Sequence, residues 1–283
     1  MPSELSYRMQ VWTLASPLDL LEDWAAAQAV LRELDVGHAP VIEYDTLLPP
    51  LRWPRKVICA GVNYRKHMRE MGGEIPAAGW RPFFFLKAPT TSVIGPRDPI
   101  VISEADRARY DWEAELAVVI GVRGKNIDPE RAGFHAAAYS VCNDITARGY
   151  HRRDAAPADA FSYDWFAAKS MEGSLPLGPG LTPAFLVPDP QDLRLRLWVN
   201  GELQQDESTA DMVCTVAELI AAEVYVAIED GVAVALGDLA VGHAGHERQR
   251  VVGLEHQAVP DGGPVEFRLA RHVDRQCVRN EDH

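Results

Sequence analysis

The run Glu115-Leu116-Ala117-Val118-Val119-Ile120-Gly121 constrains this chain most, because it is continuously apolar after its first residue and is entered through Asp111-Trp112-Glu113-Ala114. A short run of aliphatic and β-branched residues closed by glycine reads as a buried strand. Side chains alternate faces along a strand, so Glu113 and Glu115 project to the same side, next to each other. Two adjacent carboxylates at the mouth of an apolar strand repel unless something cationic lies between them. An all-oxygen donor set selects Mg²⁺, Mn²⁺ or Ca²⁺. A bare Glu-x-Glu is also the pattern of a solvated strand face, so its meaning depends on what else the chain brings to it.

From Lys56 onward, short apolar runs bounded by Gly, Pro and Asp dominate: 57–61, 83–87, 115–120, 137–142, 193–199 and 265–269. That pattern predicts many short strands in a sandwich or roll rather than a doubly wound sheet. Helices are few. Residues 17–35 carry Leu, Trp, Ala and Val at helical spacing, which predicts one amphipathic helix before Gly37. Two more are expected at 129–138, entered from Asp128 as a cap, and at 216–225. Pro49-Pro50 and Pro54 form a stiff connector, and the division drawn there is an N-terminal appendage, 1–52, before a catalytic body, 53–283. There is no internal repeat.

The chain has 28 basic and 41 acidic residues, a formal charge of −13, which disfavours nucleic acid or an anionic membrane as partner. No apolar run approaches a transmembrane span, and Met1–Gln10 lacks a secretory pattern. Cys59, Cys142, Cys214 and Cys277 are scattered without paired spacing, so free thiols in a reducing compartment are expected, and a cytoplasmic location with them.

A third carboxylate arrives at Asp144, where Tyr139-Ser140-Val141-Cys142-Asn143 runs into a turn. Asp144 also reads as a helix N-cap before Ile145. Upstream, in Gly61-Val62-Asn63-Tyr64-Arg65-Lys66-His67-Met68-Arg69-Glu70, a helical segment would put His67 and Glu70 on one face at i, i+3. A carboxylate there can orient an imidazole and stabilise its charge, which suits a general base. Lys87 and Lys169 lie among apolar and aromatic neighbours, and a buried lysine needs an anion.

In this order the segments 61–70, 85–89 with Ile94-Gly95-Pro96, 113–121, 143–148, 169–179 and 199–202 with 209–212 resemble the fumarylacetoacetate hydrolase superfamily, over about residues 53–235. The nearest branch contains acylpyruvate hydrolases, hydroxymuconate-type isomerases and oxaloacetate decarboxylases. The resemblance implies a mixed β fold with short helices, of α+β class, built as a β-sandwich roll with a small N-terminal appendage. It implies that Glu113, Glu115 and Asp144 bind Mg²⁺ or Mn²⁺, and that His67 and Glu70 activate water. Lys169 would contact substrate near the metal, with Lys87 as a supporting lysine and Arg148 orienting substrate. The implied activity is C–C hydrolysis of a 2,4-dioxo acid, such as an acylpyruvate or fumarylpyruvate, through a metal-stabilised enolate. Without the water step the same parts give decarboxylation, isomerisation or dehydration of a related 2-oxo acid; a non-catalytic relative is the third alternative. Relatives form homodimers, which is the expectation here too, with a small 2-oxo acid as the other partner.

Two departures touch the distal substrate contacts. The family's Gly-Thr-Pro strand is absent, and the ungapped register puts Asp238 where its threonine would meet a substrate carboxylate; a shifted register brings His243 nearby. In Arg148-Gly149-Tyr150-His151 many relatives carry an Asp and a Gln, and His151 replaces a residue that can bond water or substrate. His243 and His246 read as a solvated loop rather than a second metal site, and 271–283 as a frayed tail.

Overall fold

The computed structural model describes residues 16–35, 37, 47–77, 80–102 and 110–222, together with the strand segments 232–235, 254–257 and 266–269. The strands are β1 (Lys56–Gly61), β2 (Phe83–Lys87), β3 (Val93–Ile94), β4 (Tyr110–Asp111), β5 (Ala114–Ile120), β6 (Ala136–Asn143), β7 (Thr146–Ala147), β8 (Leu175–Pro176), β9 (Thr182–Pro183), β10 (Arg194–Val199), β11 (Glu202–Ser208), β12 (Val232–Ala235), β13 (Leu254–Gln257) and β14 (Glu266–Leu269). A six-stranded sheet has the order β2-β1-β12-β5-β6-β9, and a four-stranded sheet the order β11-β10-β14-β13. Two-stranded pairs join β3 to β8 and β4 to β7. The described fold is mixed helix and strand with short helices. Within it, no helix is long and apolar enough to cross a membrane.

Every residue of β5 and β6 is buried, as strands at the centre of a sheet covered on both faces require. The strand alternation divides the core. Leu116, Val118 and Ile120 of β5 and Ile58 and Ala60 of β1 share one cluster with Leu195, Leu197 and Val199 of β10 and with Leu219 and Ile220. Ala117, Val119, Val57 and Cys59 face the other way, into a second cluster with Phe85, Cys142, Leu21, Trp24 and Ala27. Glu115 is in phase with Ala117 and Val119, so the carboxylates open at one end of this second face while the N-terminal helices cover the other.

The single helix expected over 17–35 is two helices, Pro17–Glu22 and Trp24–Glu33. Ser16 and Asp19 close a capping box on the first, and Asp23 breaks the run because its carboxylate caps the second, accepting from Ala26 N at 3.2 Å. Residues 129–138 are also not one helix. Asp128 does cap Glu130 N at 3.0 Å, but the helix is 3₁₀, spans Pro129–His135, and gives way to β6. Alanines 136–138 have high helix propensity, yet Ile120↔Ala136 and Val119↔Ala138 pairing in the central sheet overrides it. Downstream, the helix expected over 216–225 is described over Val216–Ala222. Cys59, Cys142 and Cys214 are free.

Gly121 is where the N-terminal helices meet the sheet. A Cβ there would sit 2.6 Å from Ala137 Cβ and 2.7 Å from Trp24 Cγ, so no side chain fits. We expect Gly121→Ala to lower unfolding stability by about 1–3 kcal/mol. Thermal unfolding checks this, and an unchanged midpoint would show that Trp24 does not pack here.

Candidate active site

The ladder between β5 and β6 builds the site. Ala114 pairs with Asn143, so Glu113 and Asp144 lie just beyond the paired ends of the two strands. Asp144 N donates to Glu113 O at 2.8 Å, and Asn143 Oδ1 accepts from Glu113 N at 3.0 Å, which fixes both backbones. Glu113, Glu115 and Asp144 are fully buried, and each offers a carboxylate oxygen within 4.8 Å of the others. Asp144 caps no helix: the next one, Arg148–His151, begins after Ala147.

Three buried carboxylates so close would repel strongly, and the surrounding cations offset this. Lys169 Nζ donates to Glu113 Oε2 at 2.5 Å and Asp144 Oδ2 at 2.8 Å. Lys87 Nζ donates to Asp144 Oδ1 at 2.5 Å and Ile145 O at 3.1 Å. Arg148 bridges Glu113 Oε1 at 2.6 Å and Asp111 Oδ2 at 3.0 Å, and Thr146 Oγ1 donates to Glu113 Oε1 at 2.7 Å. Among the described residues, the ion pairs and the carboxylate cluster bring together four carboxylates (Asp111, Glu113, Glu115, Asp144) and three cations (Lys87, Lys169, Arg148), a formal excess of one negative charge. An all-carboxylate donor set with surplus negative charge fits one hard divalent cation.

Around this centre stand two histidines. His67 is buried on the short helix Arg65–Glu70, and its Nδ1 lies 3.9 Å from Glu70 Oε2, an ion-pair contact longer than a hydrogen bond. Burial lowers its pKa below the ordinary imidazole value; the Glu113 charge opposes this and Arg148 adds to it. His151 packs edge-on against Trp165 at 4.2 Å and near Tyr163 at 5.3 Å, and its buried Nε2 has no hydrogen-bond partner among the described residues. Its pKa is also lowered, by burial first and then by Arg148 and Lys169. Trp165 in turn stacks on Phe85 at 5.2 Å, and Phe85 lies 4.9 Å beneath Lys169 Nζ. An aromatic wall therefore runs from Lys169 to His151.

The sign for pH follows from the lowered pKa of His67. The neutral imidazole is the folded-state form, so its contribution is present above the unfolded value near 6.5 and is lost as pH falls through the lower folded value. Activity that needs neutral His67 should therefore have its acidic limb below pH 6.5, and that limb should vanish in His67→Ala. A pH–rate profile with its acidic limb above 6.5, or one unaltered by the substitution, would exclude His67 as the base.

Nine of the ten residues singled out from the sequence fall among those described, and Asp238 lies outside them, as do His243 and the tail. Glu113, Glu115, Asp144, Lys87, Lys169 and Arg148 converge. Glu70, by contrast, stands at the exposed edge of its helix. Asp111 and Thr146 were missed as site residues. Asp111 continues the i, i+2 spacing of Glu113 and Glu115 by one step, a signal that could have found it. Its carboxyl is pushed up to about 6 by burial and then by the Glu113 charge, against the pull of Arg148.

The profile of the fumarylacetoacetate (FAA) hydrolase C-terminal family matches residues 56–245. The chain belongs to this family. It is 36% identical over 203 residues to the human mitochondrial oxaloacetate tautomerase FAHD2B, covering 71% of this chain and 61% of that one. It is 39% identical over 174 residues to the oxaloacetate tautomerase YisK of Bacillus subtilis, covering 60% and 54%. The chain thus spans little more than half the length of these curated relatives. Among solved structures, the family fold is matched with a TM-score of 0.64 by maleylpyruvate hydrolase from Sphingobium sp. SYK-6 in complex with manganese(II) and pyruvate, at 28% identity and coverage of 80% and 76%. Members of this family act on oxo acids.

Proposed function

We propose that this chain is an enzyme of small 2-oxo acids that catalyses enol–keto interconversion, with an oxaloacetate-like acid as substrate. One observation carries the choice over hydrolysis. The carboxylate–lysine half of the site is fully assembled, whereas the His67–Glu70 pair that would activate water stands at 3.9 Å, beyond hydrogen-bond reach. Similarity to two oxaloacetate tautomerases supports the same reading.

Glu113, Glu115 and Asp144 would hold Mg²⁺ or Mn²⁺, with Ca²⁺ a poorer candidate because its wide, flexible shell polarises less. Bound there, the ion would supply Lewis-acid polarisation of the 2-oxo group. Lys169 and Lys87 keep the carboxylates close despite their charge, and Lys169 would be the cation that meets an incoming acid beside the metal. Neutral His67 accepts a proton and returns it at C3. The enol O–H proton is lost and a C3–H bond forms, so the formula is unchanged. Arg148, held against Glu113 and Asp111, would orient the substrate beside the carboxylate cluster, and His151 would meet it from the aromatic wall.

Hydrolysis of a 2,4-dioxo acid is the second reading, supported by the maleylpyruvate hydrolase structure, and requires Glu70 to close on His67. Oxaloacetate, an acylpyruvate and fumarylpyruvate, each with Mg²⁺ or Mn²⁺ and followed by loss of enol absorbance, separate the two. Faster conversion of oxaloacetate enol to ketone, with neither CO₂ nor a second acid formed, supports the proposal. Release of a carboxylic acid from an acylpyruvate, with oxaloacetate converted no faster than in buffer, would replace it with hydrolysis.

A homodimer belongs to the same proposal. Leu195, Leu197 and Val199, an apolar strand face that needs cover, find it within the chain. Phe83, in ring contact with Trp165, Phe166, next to Trp165 in the chain, and Leu86, next to Lys87, are among the exposed apolar side chains that a second subunit would cover. Light scattering giving a monomer mass at all concentrations would refute it.

A further inference from the structure

We infer that Asp211 is a positioning residue for His67, and that the segment 207–214 is the clasp that sets where the imidazole stands. This rests on the reading of His67 as the proton carrier. The helix Arg65–Glu70 is short, and Tyr64 at its N-terminus supplies no side-chain cap. A helix of six residues has little stability of its own, so its placement must come from elsewhere.

It comes from the far side of the sequence. Asp211 Oδ2 accepts from Lys66 N at 2.8 Å, capping the first turn from a segment 145 residues away. Asn63, fully buried, is bonded three times to the same segment: its Nδ2 donates to Cys214 O at 2.9 Å, its Oδ1 accepts from Cys214 N at 2.9 Å, and its O accepts from Val213 N at 2.7 Å. Arg65 donates to Met212 O, Lys66 pairs with Glu207, and Tyr64 bridges to Met212. The clasp has its own anchor. Thr209 is fully buried, with its Oγ1 accepting from Leu193 N at 2.9 Å and its N donating to Leu193 O at 2.9 Å, at the entrance to β10. The chain of contacts thus runs from the second sheet through Asp211 to the turn carrying His67, and none of the hydrogen bonds just named is made to Glu113, Glu115 or Asp144.

A double-mutant cycle tests this on the full chain with Mn²⁺ present, reading kcat and KM for oxaloacetate enol loss and Mn²⁺ affinity by calorimetry. Asp211→Ala should lower kcat by about ten- to a hundredfold, the effect of a misplaced reacting group, with KM and Mn²⁺ affinity unchanged. Asp211→Asn, whose amide oxygen still accepts from Lys66 N, should recover most of kcat. In a His67→Ala background, Asp211→Ala should have no further effect, because its action passes through the imidazole. Glu207→Gln, which weakens the Lys66 tether alone, should show the same pattern to a smaller degree and serves if Asp211→Ala does not fold. A wild-type kcat in both the Asp211→Ala and Glu207→Gln variants, or the same loss with and without His67, overturns the positioning role. Wild-type kcat in His67→Ala is a separate result: it removes His67 as the proton carrier, and the positioning role with it.

Discussion

Lys169→Met is expected to reduce turnover by about 10²–10³-fold, the effect of removing a preorganised charge from a buried site. It should also cost stability. Lys169 is buried and its ammonium lies 2.5 Å from Glu113 and 2.8 Å from Asp144. Methionine fills the volume but leaves two buried carboxylates facing each other, and breaking a buried pair costs about 3–5 kcal/mol. A divalent cation draws on the same carboxylates, so Mn²⁺ should restore more stability to the variant than it adds to the wild type. Thermal unfolding with chelator and with Mn²⁺ checks this. Equal metal-induced shifts in the two proteins would mean that lysine and metal do not share the carboxylates.

Glu115→Gln should separate metal affinity from stability. Glutamine keeps the shape and removes one charge from the donor set, so Mn²⁺ affinity should fall by more than the about 10–100-fold typical of residues that merely support a ligand. Without metal the sign reverses. Removing one charge from the buried triad of Glu113, Glu115 and Asp144 relieves repulsion within it, so the metal-free variant should be at least as stable as the wild type. Calorimetry and unfolding of the same samples report both. A variant that binds Mn²⁺ normally and is destabilised without it would make Glu115 a structural acid.

The course of β5 is legible in its residues because burial on both faces leaves an uninterrupted apolar signal, and strand alternation alone puts Glu113 and Glu115 together. Asp144 cannot be placed that way. Its partnership with Glu113 depends on the β5–β6 register, and sequence pattern does not state register across a loop. Local propensity misleads at 136–138, where three alanines take the strand that the sheet requires. It misleads again at Asp23, where one capping carboxylate divides a continuous periodicity. Lys87 and Lys169 show as lysines in apolar company, but their target, Asp144, appears only in three dimensions. The clasp on the His67 helix is hidden for the same reason, since Lys66 and Asp211 are 145 residues apart.

Everything proposed for turnover rests on Glu113, Glu115 and Asp144 together holding one divalent cation. The most direct test of this strips the protein of divalent ions and titrates Mn²⁺ back, reading bound metal and oxaloacetate enol loss in the same sample. No turnover above buffer is expected at the start, followed by activity that rises with bound ion and saturates at one per chain. Full turnover in the metal-free protein, or activity that does not follow the bound ion, would contradict it.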